Sequence, residues 1–133
     1  MTVRGAVLDL DGTVYRGSDP LPGAVDAIDS LRAAGLDLLF FSNNPTETRR
    51  DYVERLGDMQ IDVTTGEVLS AGTVTTEYLA SEHEDGDLYK TGSGALESQF
   101  VNAGLTVTSD PASADVLVTS WDGEFDYGAM TAG

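Results

Sequence analysis

Apolar residues fall in short runs along these 133 residues, and their spacing switches repeatedly between two periods. Residues 3–9 form an apolar stretch that closes on a carboxylate and reads as a strand. A polar segment, 16–23, carries Pro20, Pro22 and Gly23 and reads as a loop. Over 24–34, Val25, Ile28 and Leu31 recur at helical spacing until Gly35 stops them. Residues 36–42 contain Leu38, Leu39, Phe40 and Phe41 in succession, the pattern of a parallel strand buried on both faces. A Ser-Asn-Asn-Pro turn follows, then a helix to about Leu56 with Tyr52, Val53 and Leu56 on one side and Gly57 as its stop. Residues 61–63 suggest a short third strand.

The alternation then restarts. Residues 67–83 read as a helix, 87–91 as a strand, 95–103 as a helix stopped by Gly104, and 105–108 and 115–121 as strands. The expectation is an α/β protein with a parallel sheet, divided into a first domain over 1–66 and a second subdomain over 67–133. Residues 127–133 begin a further helical pattern.

Composition narrows the picture. Hydrophobic content of 41% with 23% charged residues fits a globular protein with a real core, and no apolar run approaches the roughly 20 residues that span a bilayer. The first residues lack the basic and apolar blocks of a signal peptide, so a cytoplasmic location is expected. With no cysteine, disulfides and thiolate metal sites are excluded. Acids outnumber bases 23 to 7, a formal charge of −16. Such a surface repels phosphate backbones, so nucleic acid is not an expected partner. Spread evenly and with Lys90 the only lysine, the acids suit a halophilic protein working in molar salt, where self-repulsion is screened.

The chemistry concentrates at two strand ends. Asp9 and Asp11 flank Leu10, and Gly12-Thr13 follow directly, so one acid closes the strand and the other opens the loop. Asp and Gly are turn formers, and a turn alone would account for the pattern. In an open α/β sheet, however, that tip is where ligands bind. Acids there can hold a hard divalent cation, and one of them can attack an electrophile. At the second strand end, the Ser42 hydroxyl and the backbone N–H groups after it precede a helix N-terminus, which together make an anion pocket. Asn44, with Pro45 next and Glu47 three positions on, also reads as an N-cap. Adjacent parallel strands put Asp9 and Ser42 at the same sheet edge.

Residues 7–15 resemble the first motif of the haloacid dehalogenase superfamily. Together with P-L-P-G-A at 20–24 and F-S-N-N-P at 41–45, they look like its subclass IIA, the p-nitrophenylphosphatase and phosphoglycolate phosphatase-like branch. The resemblance implies a Rossmann-like core over 1–66 and part of an α/β cap over 67–133. It implies a Mg²⁺-dependent phosphatase of small phosphorylated metabolites working through an aspartyl phosphate. Asp9 would be the nucleophile and Asp11 the acid/base. Mg²⁺ would sit on the Asp9 carboxylate and the Asp11 backbone carbonyl. Ser42 and Asn43 would bind phosphate, and Gly12 and Thr13 would open a flap.

Two later features of that family, a lysine and an acidic pair, have no counterpart at the expected place. Lys90 lies within the second subdomain and reads as a surface lysine, while Asp122, Glu124 and Asp126 only imitate the acidic pair. The competing reading is a truncated, non-catalytic module that binds phosphate or metal, or that forms a homo-oligomer through an open sheet edge. Gly92-Ser93-Gly94 begins like a dinucleotide fingerprint, but Glu97 stands where its third glycine belongs. His83 reads as a solvated helix-end residue.

Overall fold

A computed structural model describes residues 2–123 and 130. Two compact units separate. One comprises the chain up to Asn43 and Thr48–Ser70; the other comprises Asn44–Glu47 and the chain from Ala71 onward. Both are α/β, as the periodicity predicts. Glu124, Asp126 and the helical pattern at the chain's end lie outside the described residues, apart from Met130.

In the first unit, β1 (Gly5–Asp9), β4 (Asp37–Ser42) and β5 (Val68–Ser70) form a parallel sheet in the order β1-β4-β5. Between β1 and β4 come a small hairpin, β2 (Tyr15–Arg16) with β3 (Asp19–Pro20), and α1 (Ala24–Ala33). The segment read as a polar loop thus holds the hairpin. Pleating sends Leu38 and Phe40 of β4 to one face, where Ile28 of α1 and Tyr52 and Leu56 of α2 (Arg49–Asp58) bury them. Each such side chain contributes about 1.5–3 kcal/mol of burial. The opposite face is open: Val7 is 68% exposed and Phe41 38%. β1 is an edge strand of this sheet, with β4 on one side only.

Three local expectations are corrected. First, α2 is capped by Thr48 rather than Asn44. The Thr48 N–H donates to Asp51 Oδ2 at 2.7 Å while the Asp51 N–H donates to Thr48 Oγ1 at 3.3 Å, a reciprocal capping box. Asn44 Oδ1 instead accepts from the Thr46 N–H at 2.9 Å, a local turn that delays the helix. Second, Gly57 does not stop α2. The chain turns at Gln60, φ 64°, where the Gln60 N–H donates to the Gly57 carbonyl and the Ile61 N–H to that of Leu56, both at 2.9 Å. This is a Schellman cap with glutamine in the left-handed position.

Third, the strand expected over 61–63 is absent, because the Ile61 amide is spent on that cap and Ile61 and Val63 plug the core as loop residues. The third strand is β5, read from sequence as the start of a helix. A 3-10 turn, Thr65–Glu67, precedes it, closed by Thr64 donating to Glu67 Oε2 at 2.8 Å. Glu67 also meets Arg32 at 3.0 Å. Burial pushes the Glu67 carboxyl up, but the Thr64 hydrogen bonds and Arg32 prevail and hold it below the usual carboxylate value.

In the second unit, β6 (Asp87–Thr91) lies between β7 (Thr106–Val107) and β8 (Val116–Thr119), all parallel. Leu79 of α3 (Ala71–Glu82) and Leu96 and Phe100 of α4 (Gly94–Asn102) pack with Leu88 and Leu105 to form its core. Gln99 of α4 donates to the Pro45 carbonyl at 2.9 Å, holding the 44–47 segment in this unit. His83 is half-buried rather than solvated, its ring edge-on to Tyr78 at 5.8 Å. No helix among the described residues is long and apolar enough to cross a membrane.

Candidate active site

The chain leaves β1 at Asp9 and coils at once around the Leu10 carbonyl. That oxygen accepts the N–H groups of Thr13 (3.2 Å), Val14 (2.9 Å) and Tyr15 (3.2 Å). Gly12 takes φ 82°, a left-handed value that favours glycine, and its N–H donates to the Tyr15 carbonyl at 2.8 Å. Leu10, Val14 and Tyr15 are buried beneath the loop, while Asp9, Asp11, Gly12 and Thr13 stay exposed on its rim. The alternation of apolar and polar residues thus turns the loop inside out around its hydrophobic members. Thr13 Oγ1 donates to Asp9 Oδ2 at 3.3 Å, leaving the other carboxylate oxygen of Asp9 outside this bond.

Asp9 is in register with Phe41 of β4, so the two strands end side by side and Ser42 stands one residue further on. By the pleat, Asp9 shares the open face with Phe41, and Ser42 shares the helix-covered face with Phe40. Ser42 is 1% exposed, and its Oγ accepts a hydrogen bond from the Tyr52 hydroxyl at 2.9 Å. Asn43 follows and is exposed. The acid loop and the end of β4 are therefore neighbours at one end of the sheet, although the Ser42 side chain is sunk into the core rather than raised above it.

Tyr52 is a residue that sequence reasoning placed on the apolar face of a helix without assigning it chemistry. The guanidinium of Arg55 lies 5.9 Å from the centre of its ring and 5.6 Å from that of Tyr15, and donates to the Tyr15 hydroxyl at 3.4 Å. Asp11 faces an open cavity of about 580 Å³ shared with Ser18, Asp51, Glu54, Arg55 and Asp58.

Among the described residues no cluster of three acidic or imidazole ligands forms. The donor set at the loop is hard oxygen only, two exposed carboxylates and their backbone carbonyls. That suits Mg²⁺, which is commonly held by one or two carboxylates with the substrate's phosphate and water completing the shell. Lys90 is not a surface lysine. Its side chain is 13% exposed, with Nζ donating to the Gly92 carbonyl at 2.9 Å and 3.2 Å from Glu97, so it is engaged within the second unit.

Residues 6–106 match the model of a family described as haloacid dehalogenase-like hydrolase. An acid sugar phosphatase from Staphylococcus haemolyticus is 36% identical over 124 residues, 93% of this chain and 47% of that protein. A p-nitrophenyl phosphatase from Archaeoglobus fulgidus superposes with a TM-score of 0.88 at 28% identity, covering 98% of this chain and 50% of that one. A glycerol phosphate phosphatase from Mycobacterium tuberculosis, solved with magnesium, shares the fold at TM-score 0.76 and 22% identity, covering 95% of this chain and 38% of that one. The chain spans about half the length of the curated relatives it matches.

Proposed function

The chain belongs to the haloacid dehalogenase-like hydrolases, and from that membership we propose that it carries the nucleophile half of a Mg²⁺-dependent phosphatase acting on small phosphorylated metabolites. The observation that carries this reading is Asp9, exposed at the tip of β1, held by Thr13 and beside the end of β4. The phosphatases among its relatives favour a phosphorylated sugar or comparable monoester as substrate.

The Asp9 oxygen attacks phosphorus, an acyl-phosphate bond forms, and the ester P–O bond breaks. Asp11 gives its proton to the departing oxygen. It then takes a proton from the water that attacks the same phosphorus, which frees Asp9 and inorganic phosphate. The backbone N–H groups after Ser42 and the Asn43 side chain bind the phosphoryl oxygens. The Asp9 carboxylate and the Asp11 carbonyl would hold Mg²⁺, which would supply the positive charge that lets an anionic nucleophile approach the phosphoryl group.

Phosphate release from p-nitrophenyl phosphate and hexose phosphates, with Mg²⁺ or with EDTA, tests the assignment. Asp9→Asn is expected to remove activity by roughly 10³-fold or more. Equal rates in both proteins would take Asp9 out of the mechanism.

A second reading has support in Lys90, which is committed to Glu97 and Gly92. On that reading these residues bind phosphate or metal, or self-associate through the open edge of β1, without turnover. Sedimentation of the substrate-free chain separates the two. From the evenly acidic, lysine-poor composition and the apolar runs we also propose a cytoplasmic location, no nucleic-acid or membrane partner, and a medium of molar salt. A melting temperature that does not rise between low and molar KCl removes the last of these.

A further inference from the structure

We infer that Gln99 is a positioning residue of the phosphate-binding loop, acting through the Pro45 carbonyl on the backbone at Asn43 and Asn44; this rests on the phosphatase reading. Asn43 is exposed just past the end of β4, and the four residues after it, 44–47, are all half-buried and belong to the second unit. Proline has no N–H, so the carbonyl is the one main-chain hydrogen-bonding group that Pro45 possesses. Gln99 Nε2 of α4 donates to that oxygen at 2.9 Å from 54 residues further along the chain. The neighbours of Gln99 in α4, Leu96 and Phe100, are buried in the second core, so its place is set by packing rather than by the loop it holds.

Gly72 marks this contact as a built one. It is a buried residue of α3 without a positive φ, so no turn requires glycine there, and glycine is a poor helix former. A Cβ at that position would collide with the Pro45 oxygen and stand 3.0 Å from Gln99 Nε2. The missing side chain is what admits both groups. On the other side of Pro45, Asn44 Oδ1 accepts from the Thr46 N–H at 2.9 Å and from the Thr46 hydroxyl at 2.7 Å. The strap 44–47 is therefore fixed twice, by a local turn and by a distant helix. Its first residue is bonded to Asn43, so its conformation sets the direction of the N–H in the Asn43–Asn44 peptide, one of the donors that the phosphatase reading gives to phosphate. Donors set beforehand suit an anion site, because they need no reorganisation when charge arrives.

Inorganic phosphate with Mg²⁺, titrated by NMR into the 133-residue chain and its variants, is the probe. Gln99→Leu removes the donor and is expected to weaken phosphate binding about tenfold. Gln99→Glu keeps the shape, but its carboxylate only accepts, so near neutral pH it should match Gln99→Leu. Protonation gives that carboxyl an O–H donor. Its affinity relative to the parent should therefore recover as pH falls from about 7 to about 4, through the glutamate range, while that of Gln99→Leu should not. Phe100→Leu loosens the second core and leaves the Gln99 carboxamide in place; it should lower the melting temperature and leave affinity per folded molecule unchanged. Undiminished phosphate binding in Gln99→Leu, a Gln99→Glu deficit that ignores pH, or an equal loss of affinity in Phe100→Leu overturns the inference alone. A parent chain that binds no phosphate overturns the phosphatase reading with it.

Discussion

In the first unit the middle strand, β4, ends on Ser42, 1% exposed; in the second the middle strand, β6, ends on Thr91, 8% exposed. Both are hydroxyl residues at the C-terminal end of a central parallel strand, with a helix N-terminus ahead. The connections to those helices differ. Residues 43–48 intervene before α2, with an Asx turn at Asn44 and a capping box at Thr48. After Thr91 only Gly92 and Ser93 precede α4, and a Cβ on Gly92 would stand 3.1 Å from that of Ser120. The Ser120 N–H donates to the Thr91 carbonyl at 2.8 Å, the next bond of the β6–β8 ladder after the Thr91–Thr119 pair, which brings Ser120 against the Gly92 turn. The first connection is thus six residues long and the second only two, with Ser120 close against it.

The largest expected break in this comparison is chemical: Asp9→Asn removes phosphate release, whereas Lys90→Ala in the second unit leaves it within about threefold. Next come the two glycines. Gly92 combines φ 153° with the close approach to Ser120, and Gly92→Ala is expected to cost about 2–3 kcal/mol in denaturant titrations. Gly12 has φ 82° but nothing within 4 Å of a Cβ, so Gly12→Ala should cost only about 1–2 kcal/mol. Equal losses would mean that backbone strain alone sets both costs and that the approach to Ser120 adds nothing.

Thr48→Ala removes the capping box and should cost about 1 kcal/mol. It also has a pH signature. Hydrogen bonds from Thr48 hold the Asp51 carboxyl below its ordinary value of 3.8, and a depressed folded value stabilises at higher pH. That contribution is complete above about the ordinary value and disappears as pH falls through the lower folded one. Thermal melts should therefore show a smaller Thr48→Ala deficit in strong acid than at neutral pH. Smallest of all, Gln60→Gly relieves a left-handed glutamine and should raise stability by a few tenths of a kcal/mol, net of glycine's greater unfolded entropy.

Sequence periodicity revealed β1, α1 and β4 as elements, although the apolar run of β4, which reads as buried on both faces, leaves Phe41 on an open one. It misplaced segments whose apolar residues serve a cap. Ile61 and Val63 look like strand residues because they are buried, yet the Ile61 amide belongs to the end of α2. Glu67 looks like a helix opener because it does cap a turn, only a 3-10 one that leads into β5. Asp9 and Asp11 were legible because Gly12 and Thr13 follow them. The Tyr52–Ser42 bond joins residues ten apart through the packing of α2 on the sheet, and neither residue's immediate neighbours encode it.

Leu10 sits between the two acids, and its carbonyl gathers three amide protons from the turn beyond it. Asp9 and Asp11 are thereby bolted to one small plug, and neither can be displaced without shearing it. Positions 10, 14 and 15, which would touch no ligand, should look as intolerant as reacting groups in a saturation mutagenesis scan.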